Sequence, residues 1–387
     1  MEPEIRFKGF EGEWEKVKLG NVCSVNRGTR ITKKELNTNQ SYPVYQNTNY
    51  PLGYYKNYNV EANNPYVIIG GSAGLIGFSN VPFWAADDCA YFGDNDSLDK
   101  TFLYSTLLFH IAEIKRNVRG SSVPRLDRST LIDLETNLPS FSEQQSIATY
   151  FRTLDNKIQS TSKKLASLKK LKSASLVAMF PQQGETTPKV RFKGFEGEWK
   201  TPSIGYVFEL RNGYTPSKIV KEFWEGGTIP WFRMEDIRMN GGFLKDALQH
   251  ITPWAVKGAG LFEKNSIILA TTATIGVHAM LIADSLANQR FTNFKVRKSL
   301  SDEYIDEFIY YSFFKIDEWS KNNTNSGGLL SVNMPLLVKQ SFLTPCKEEQ
   351  QAIATFFRSL DRKIALETAR LEKLKQIKLA CLDKMFV

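Results

Sequence analysis

The chain carries the same two signatures twice. Residues 5–14 read IRFKGFEGEW and residues 190–199 read VRFKGFEGEW, with nine of ten positions identical at an offset of 185. Residues 143–158 (EQQSIATYFRTLDNKI) and 349–364 (EQQAIATFFRSLDRKI) match at twelve of sixteen positions, at an offset of 206. Weaker matches carry the second pair to its end through Leu165/Leu371, Leu168/Leu374, Lys172/Lys378, Met179/Met385 and Phe180/Phe386. Upstream they reach Ser121/Gly327, Leu126/Val332 and Asp127/Asn333. The layout is therefore A–B–A′–B′, with A′ 21 residues longer than A. Two copies at so long a period exclude a solenoid, whose repeats run ~20–50 residues and number at least three. The middles of A and A′ share one faint echo, VIIGGSAGLIG (67–77) and SIILATTATIG (266–276).

The B segments predict long helices. Residues 143–180 contain no Gly and no Pro. Ile147, Phe151, Leu154, Ile158, Thr161, Leu165 and Leu168 recur with the 4-3 spacing of a coiled-coil stripe. Leu360, Ile364, Leu371 and Leu374 repeat it in B′, with Glu367 where an apolar residue is expected. Ser142 is placed to cap the first helix, and Pro181 and Gly184 to end it. An apolar stripe on a long helix needs a partner: the obvious one is its duplicate, and the alternative is that each helix packs on its own A domain. Antiparallel pairing of B with B′ would set A and A′ at opposite ends of the pair. Lys163, Lys164, Lys169, Lys170 and Lys172 cluster on the first helix and read as a solvated face, with a partner subunit or DNA phosphates as the alternative.

The A segments read as mixed α/β with short strands. In A, strands are expected at Tyr66–Ile69 and Phe83–Ala85 and a helix over Lys100–Asn117. In A′, Ser266–Ala270 and Phe291–Val296 read as strands and Asp302–Lys315 as a helix. Loops rich in Gly, Asn and Ser punctuate both: Asn47–Tyr55, Arg119–Ser122 and residues 322–328. Amide and hydroxyl side chains mixed with Arg suit base edges, Arg for guanine and Asn or Gln for adenine. The same residues also serve ordinary turns.

Charge is compatible with a polyanionic partner: the net charge is +9. The excess is uneven. Residues 1–141 hold 15 basic and 16 acidic groups, and residues 143–180 hold 7 and 2. A DNA-binding face in A must therefore come from local clustering, such as Arg27, Arg30, Lys33 and Lys34.

Catalytic patterns are missing. There is no GxxxxGK[ST] phosphate loop, HExxH or nucleophile elbow, and Gly70–Gly74 lacks the GxGxxG spacing. Asn63-Asn64-Pro65-Tyr66 falls one residue short of an Asn-Pro-Pro-Tyr motif and reads as a loop entering a strand. Asp87-Asp88 has no Glu-x-Lys partner and reads as a solvated turn. Cys23, Cys89, Cys346 and Cys381 show no CxxC spacing and read as reduced cytosolic thiols; His110, His250 and His278 form no local metal motif. No apolar run reaches ~18 residues, and the N-terminus lacks a secretory pattern, so a cytoplasmic protein without a membrane span is expected.

The repeated FKGFEGEW (7–14 and 192–199), Gly120-Ser121 ahead of Leu138-Pro139, and the EQQxIAxxF helix start (143–151 and 349–357) resemble the specificity subunit of bacterial type I restriction–modification enzymes. The resemblance runs the length of the chain in the family's order. It implies an α+β fold with two mixed α/β target-recognition domains, 1–141 and 182–346. Between them run two long helices, 142–181 and 347–387, forming an antiparallel coiled coil with pseudo-two-fold A–B–A′–B′ symmetry. The resemblance implies a non-catalytic chain that reads a bipartite, asymmetric site on double-stranded DNA, one half-site per domain. Its helices would dock two methyltransferase subunits, and motor–nuclease subunits would join for cleavage. S-adenosylmethionine and ATP are then expected on those partners, with no cofactor on this chain, and the lone chain is open to self-association. A stand-alone methyltransferase or nuclease, or a coiled-coil scaffold that binds no DNA, are the competing readings.

Candidate DNA contacts in A are Arg27, Arg30, Lys33, Lys34, Asn47, Asn49, Ser72, Arg119 and Arg125. In A′ they are Thr215, Ser217, Arg233, Arg238, Thr271, Thr272, Thr274, Asn288, Gln289 and Arg290. A′ departs from the Gly-Ser loop pattern at Asn325–Ser331, so loop roles do not transfer directly between halves.

Overall fold

A computed structural model describes residues 2–325 and 330–387. Ser326, Gly327 and Gly328 of the expected A′ loop, and with them the Ser121/Gly327 match, lie outside the described residues. The chain divides into two compact units: residues up to Leu165 with Glu367–Val387, and Ala166–Leu366. Each unit thus holds one A segment and part of each long helix.

In unit 1 the chain forms β1 (Glu15–Lys18), α1 (Leu19–Val22), β2 (Val25–Arg27), β3 (Tyr42–Tyr45), β4 (Gly53–Tyr55), β5 (Asn64–Ile68), β6 (Ile76–Ser79), β7 (Trp84–Ala85) and β8 (Cys89–Phe92). It continues through α2 (Lys100–Phe109), α3 (Ile111–Arg116), α4 (Arg128–Ile132) and β9 (Glu135–Leu138) into α5 (Phe141–Ala178). Strands β2-β8-β5-β6 make one antiparallel sheet, β4-β3-β7 a second in which β3 and β7 are parallel, and β1 pairs with β9. Strand β5 is buried along its length, as a central strand covered on both faces must be. The expected helix over Lys100–Asn117 is two helices, because the backbone leaves helical values at His110.

Unit 2 repeats the plan. It contains α6 (Ile204–Val207), β10 (Phe208–Asn212), β11 (Ile229–Phe232), α7 (Met234–Asn240), β12 (Phe243–Leu244), β13 (His250–Ile251), β14 (Ile267–Ala270), β15 (His278–Leu281), β16 (Leu286–Ala287) and β17 (Phe291–Val296). Then follow α8 (Asp306–Asn322), β18 (Thr324–Asn325), β19 (Ser331–Val332), α9 (Met334–Leu337) and α10 (Lys347–Met385). The sheets run β10-β17-β14-β15-β12 and β13-β11-β16. The offset between halves grows from 187 at Val44/Trp231 to 202 at Ile68/Ala270. Most of the extra length of A′ therefore sits between β11 and β14, where it builds α7 and β12. The echo at 67–77 is real in three dimensions but its register differs from the expected one. Gly74 N–H donates to Ile68 O as Gly276 N–H donates to Ala270 O, so residues 67–77 match 269–279, not 266–276.

Two further expectations are corrected. Helix α5 starts at Phe141, and Glu143 and Gln144 donate their amides to Ser140 O, so Ser142 lies inside the first turn and does not cap it. Helix α8 starts at Asp306 rather than Asp302. Residues Lys298–Glu303 take a tight 3-10 turn, and the Ile305 amide just before the helix donates to Gln350 Oε1 from α10. A start signal delivered from another element is invisible to local periodicity.

The long helices pair antiparallel within each unit. In unit 1, Tyr150 meets Cys381, Asp155 meets Lys378 at 2.6 Å, and Lys164 meets Glu367 at 2.5 Å: position rises along α5 as it falls along α10. In unit 2, Lys172 meets Asp361 at 2.6 Å. Leu154, Leu165, Leu360 and Leu371 are buried, while Ile158, Leu168, Ile364 and Leu374 are half-buried. Glu367 interrupts the stripe opposite Lys164, which supplies the countercharge. Lys163, Lys169 and Lys170 are exposed, but Lys172 lies along the seam rather than on a fully solvated face. Among the described residues, no helix is long and apolar enough to cross a membrane.

Candidate nucleic-acid interface

The duplicated motifs prove to be joints. The Arg6 guanidinium donates to both Glu143 oxygens at 2.8 Å and to Gly12 O at 2.6 Å. Arg191 does the same to Glu349 at 2.6 and 2.7 Å and to Gly197 O at 2.6 Å. The carboxylates are buried, and each pair raises its arginine pKa, the hydrogen bond to the glutamate being the main cause. The next residue in the motif, Gln144, accepts from the Asp99 amide ahead of α2, as Gln350 accepts from Ile305 ahead of α8. Trp14 packs edge-on against Phe102 and Phe386, and Trp199 against Phe308 and Phe180. These repeated residues clamp each A segment to the helix pair.

One loop region recurs with the same backbone framework in both units. In unit 1, Gly28 N–H donates to Cys89 O, Thr29 N–H to Ala85 O, Ala86 N–H to Tyr45 O, Cys89 N–H to Ala86 O, and Ile69 N–H to Asp88 O. In unit 2 the same five bonds run Gly213 to Phe291, Tyr214 to Ala287, Asn288 to Phe232, Phe291 to Asn288, and Thr271 to Arg290. A Cβ on Gly28 would lie 2.2 Å from Ala85 O and Ala86 O, and one on Gly213 would lie 2.3 Å from Ala287 O and Asn288 O. Glycine is required at both by close backbone approach. The bridge Gly70↔Arg125 corresponds to Thr272↔Ser331.

This framework gathers several sequence-predicted residues. In unit 1, Arg27 Nε donates to Asp87 O at 2.6 Å, and Arg125 stands 3.5 Å from Asp88. Arg119 is bridged to Arg125, and Ser72 N–H donates to Asn47 O. All five cationic or polar side chains are exposed. Arg30, Lys33 and Lys34 are exposed on the following segment, which Ile31 anchors in a cluster with Val44 and Ala86. Glu35 beside them is occupied by Thr32, whose backbone and side-chain hydrogen bonds lower its pKa. Asn49 uses its carbonyl to accept from Tyr66 Oη.

In unit 2, Thr215 Oγ1 donates to Gln289 Oε1 at 2.5 Å, and the Arg290 amide donates to Asn288 Oδ1. Ser217 and Arg238 are exposed, and Thr272 and Thr274 are half-buried. The Arg233 guanidinium lies 6.0 Å from the Trp231 ring centre. Thr271 leaves the candidate set: it is buried, with its hydroxyl 3.0 Å from that of Thr292 inside the sheet. Asn63 adopts φ 57 and β5 starts at Asn64, whose Nδ2 donates to Phe92 O. This segment is a loop entering a strand.

The candidate set drawn from the sequence lacks Gln46, Asp87 and Asp88, as well as Asn212 and Ser331, the counterparts of Arg27 and Arg125. Asp87-Asp88 is a turn, but a half-buried one at the centre of the gathered arginines. For Asn212 the available signal was the 185 offset, which continues without a gap to Arg27-Gly28 and Asn212-Gly213.

A family model described as type I restriction modification DNA specificity domain matches residues 11–170 and again 196–376. The specificity subunit of the type I restriction enzyme EcoprrI from Escherichia coli is 46% identical over 158 residues, 41% of this chain and 39% of that protein. The MjaIX specificity subunit from Methanocaldococcus jannaschii is 29% identical over 195 residues, 49% of this chain and 44% of the relative. The chain thus spans less than half the length of these two curated relatives. The MjaVIII specificity subunit of the same organism is 21% identical over 410 residues, covering 97% of this chain and 93% of the relative. In fold, the chain is similar to the S subunit of a type I restriction-modification system from M. genitalium, with a TM-score of 0.70 at 17% identity, covering 100% of this chain and 99% of that one.

Proposed function

This chain belongs to the type I restriction modification DNA specificity family, and on that premise we propose that it reads a bipartite, asymmetric sequence on duplex DNA, one half-site to each recognition domain. In this reading residues 1–141 and 182–346 are the readers, and residues 142–181 and 347–387 form the helix pair. The observation that carries it is the recurrent turn framework. Five equivalent backbone hydrogen bonds hold equivalent positions in both units, while the side chains offered there differ. A constant framework with variable polar side chains suits two readers of unlike base sequences.

The chain supplies recognition, and chemistry belongs to its partners: two methyltransferase subunits carrying S-adenosylmethionine, and motor–nuclease subunits carrying ATP. Within the surface, exposed Arg30, Lys33, Lys34 and Arg119 are assigned to phosphates, and residues fixed at the turns to base edges. Loss of a phosphate contact lowers affinity for all sequences alike, whereas loss of a base contact relaxes one position.

Sequencing of methylated bases in cells that express the chain with its modification subunit tests the reading. The expected result is methylation within one two-part motif separated by an unspecified gap. Methylation or cleavage by the purified chain alone would instead make it an enzyme. Failure to bind any duplex with the partner present would make it a scaffold.

A further inference from the structure

We propose that the turns at 86–88 and 288–290 are one base-reading slot used with opposite charge: Asp87-Asp88 accepts from an exocyclic amino group in one half-site, and Gln289-Arg290 donates to a base edge in the other. This assignment rests on the reading of the chain as a DNA specificity subunit and identifies specificity-determining residues within it.

The slots are superposable by their bonds, not by sequence likeness. In the first, the flanking groups face the carboxylates: Gln46 Nε2 donates to Asp87 Oδ1 at 3.3 Å, and Arg125 reaches Asp88 Oδ1 at 3.5 Å. Room for the Asp88 carboxylate depends on Gly70, where a Cβ would stand 2.2 Å from Oδ1. In the second slot, Gln46 is replaced by Arg233, Asp87 by Gln289, Asp88 by Arg290 and Arg125 by Ser331. The Arg290 side chain is exposed and has no hydrogen bond or ion pair among the described residues. Arg233 Nε is buried without a hydrogen bond among the described residues, with the Glu235 carboxylate 3.8 Å away.

The chemistry follows from the donor inventory. An ionised carboxylate only accepts, and close to DNA it is repelled by phosphate. Its favourable partner there is an amino group, cytosine N4 or adenine N6. Arg27 and Arg125 beside it offset the phosphate field. Arginine only donates and matches guanine O6 and N7 in a bidentate pair. Reversed polarity at one structural position means that the two half-sites must differ at the base read there.

The experiment is selection of duplexes from a randomised pool by the full-length chain assembled with its modification subunit, followed by sequencing. Wild type is compared with Asp87→Asn/Asp88→Asn, with Arg290→Gln, and with Asp87→Gln/Asp88→Arg. The expected result is a two-part motif in which the Asp variants lose about tenfold or more of the preference at one position of one half-site. Arg290→Gln does the same at one position of the other half-site. Variant motifs identical to wild type, or a uniform fall in binding to all duplexes, overturn the inference and leave the proposed function standing. A wild-type chain that enriches no motif overturns both. If the Asp variants do not fold, Arg290→Gln decides alone, because that side chain is exposed and touches no core.

Discussion

Arg191 and Glu349 are 158 positions apart, yet they form the contact that pins the start of A′ to α10. The pair is doubly hydrogen-bonded and closed to water on the glutamate side. Removing the guanidinium leaves a buried carboxylate with no countercharge, which costs on the order of 3–5 kcal/mol. Arg191→Ala should therefore lower the denaturant midpoint of unit 2 strongly, while Arg191→Ala/Glu349→Ala should be milder than the sum of the single changes. Chemical denaturation followed by tryptophan fluorescence reads this, and additive losses would show that the two side chains are not coupled. Gly213 is the second decisive residue. Gly213→Ala forces a Cβ against two carbonyl oxygens and should destabilise unit 2 by about 1–3 kcal/mol. Gly258→Ala, which meets nothing within 4 Å, should be neutral and serves as the control.

At the scale of the element, the helix pair is held by an apolar seam with charges placed reciprocally. Lys172 meets Asp361 and Lys378 meets Asp155, and the two pairs are related by the repeat itself, since both members shift by 206. Such pairs contribute little net energy when partly exposed, about 0–1 kcal/mol, but like charges in their place repel. Lys172→Asp should reduce thermal stability by a few degrees, and the swap Lys172→Asp/Asp361→Lys should restore most of it. A swap that fails to recover would mean that the Lys172 ammonium over the Tyr311 ring, 5.6 Å from its centre, matters more than its pairing with Asp361. The 4-3 spacing and the antiparallel pairing were legible because period and duplication are local properties of the chain. The helix starts were less so: Ser140 rather than Ser142 receives the first amides of α5, and α8 is set by a glutamine from α10.

At the scale of the whole molecule, the proposed function makes recognition modular, one half-site to each copy of the duplicated layout. Exchanging residues 15–141 for the corresponding segment of another family member should change one half-site of the methylated motif and leave the other intact. Mapping methylated bases in cells carrying the chimaera checks this; an unchanged motif, or loss of both halves, would refute the division of labour. Lengthening both long helices by one turn should widen the unspecified gap without altering either half-site, as read by the same mapping.

The amino-acid sequence alone determined that the chain is built twice, that two long helices carry complementary stripes, and that β17 spans Phe291–Val296. These features are written in neighbours a few positions apart or in direct repetition, so no fold is needed to see them. Only the tertiary structure decided that Asp87-Asp88 and Gln289-Arg290 occupy one equivalent place, that Thr271 turns into the sheet, and that the repeated Arg and Glu are joint partners. Sheet pairing brings residues tens of positions apart to hydrogen-bond distance, and insertions such as the one holding α7 shift the register between the copies. The side chains that meet at a turn are then set by backbone bonds across strands rather than by the order of residues along the chain.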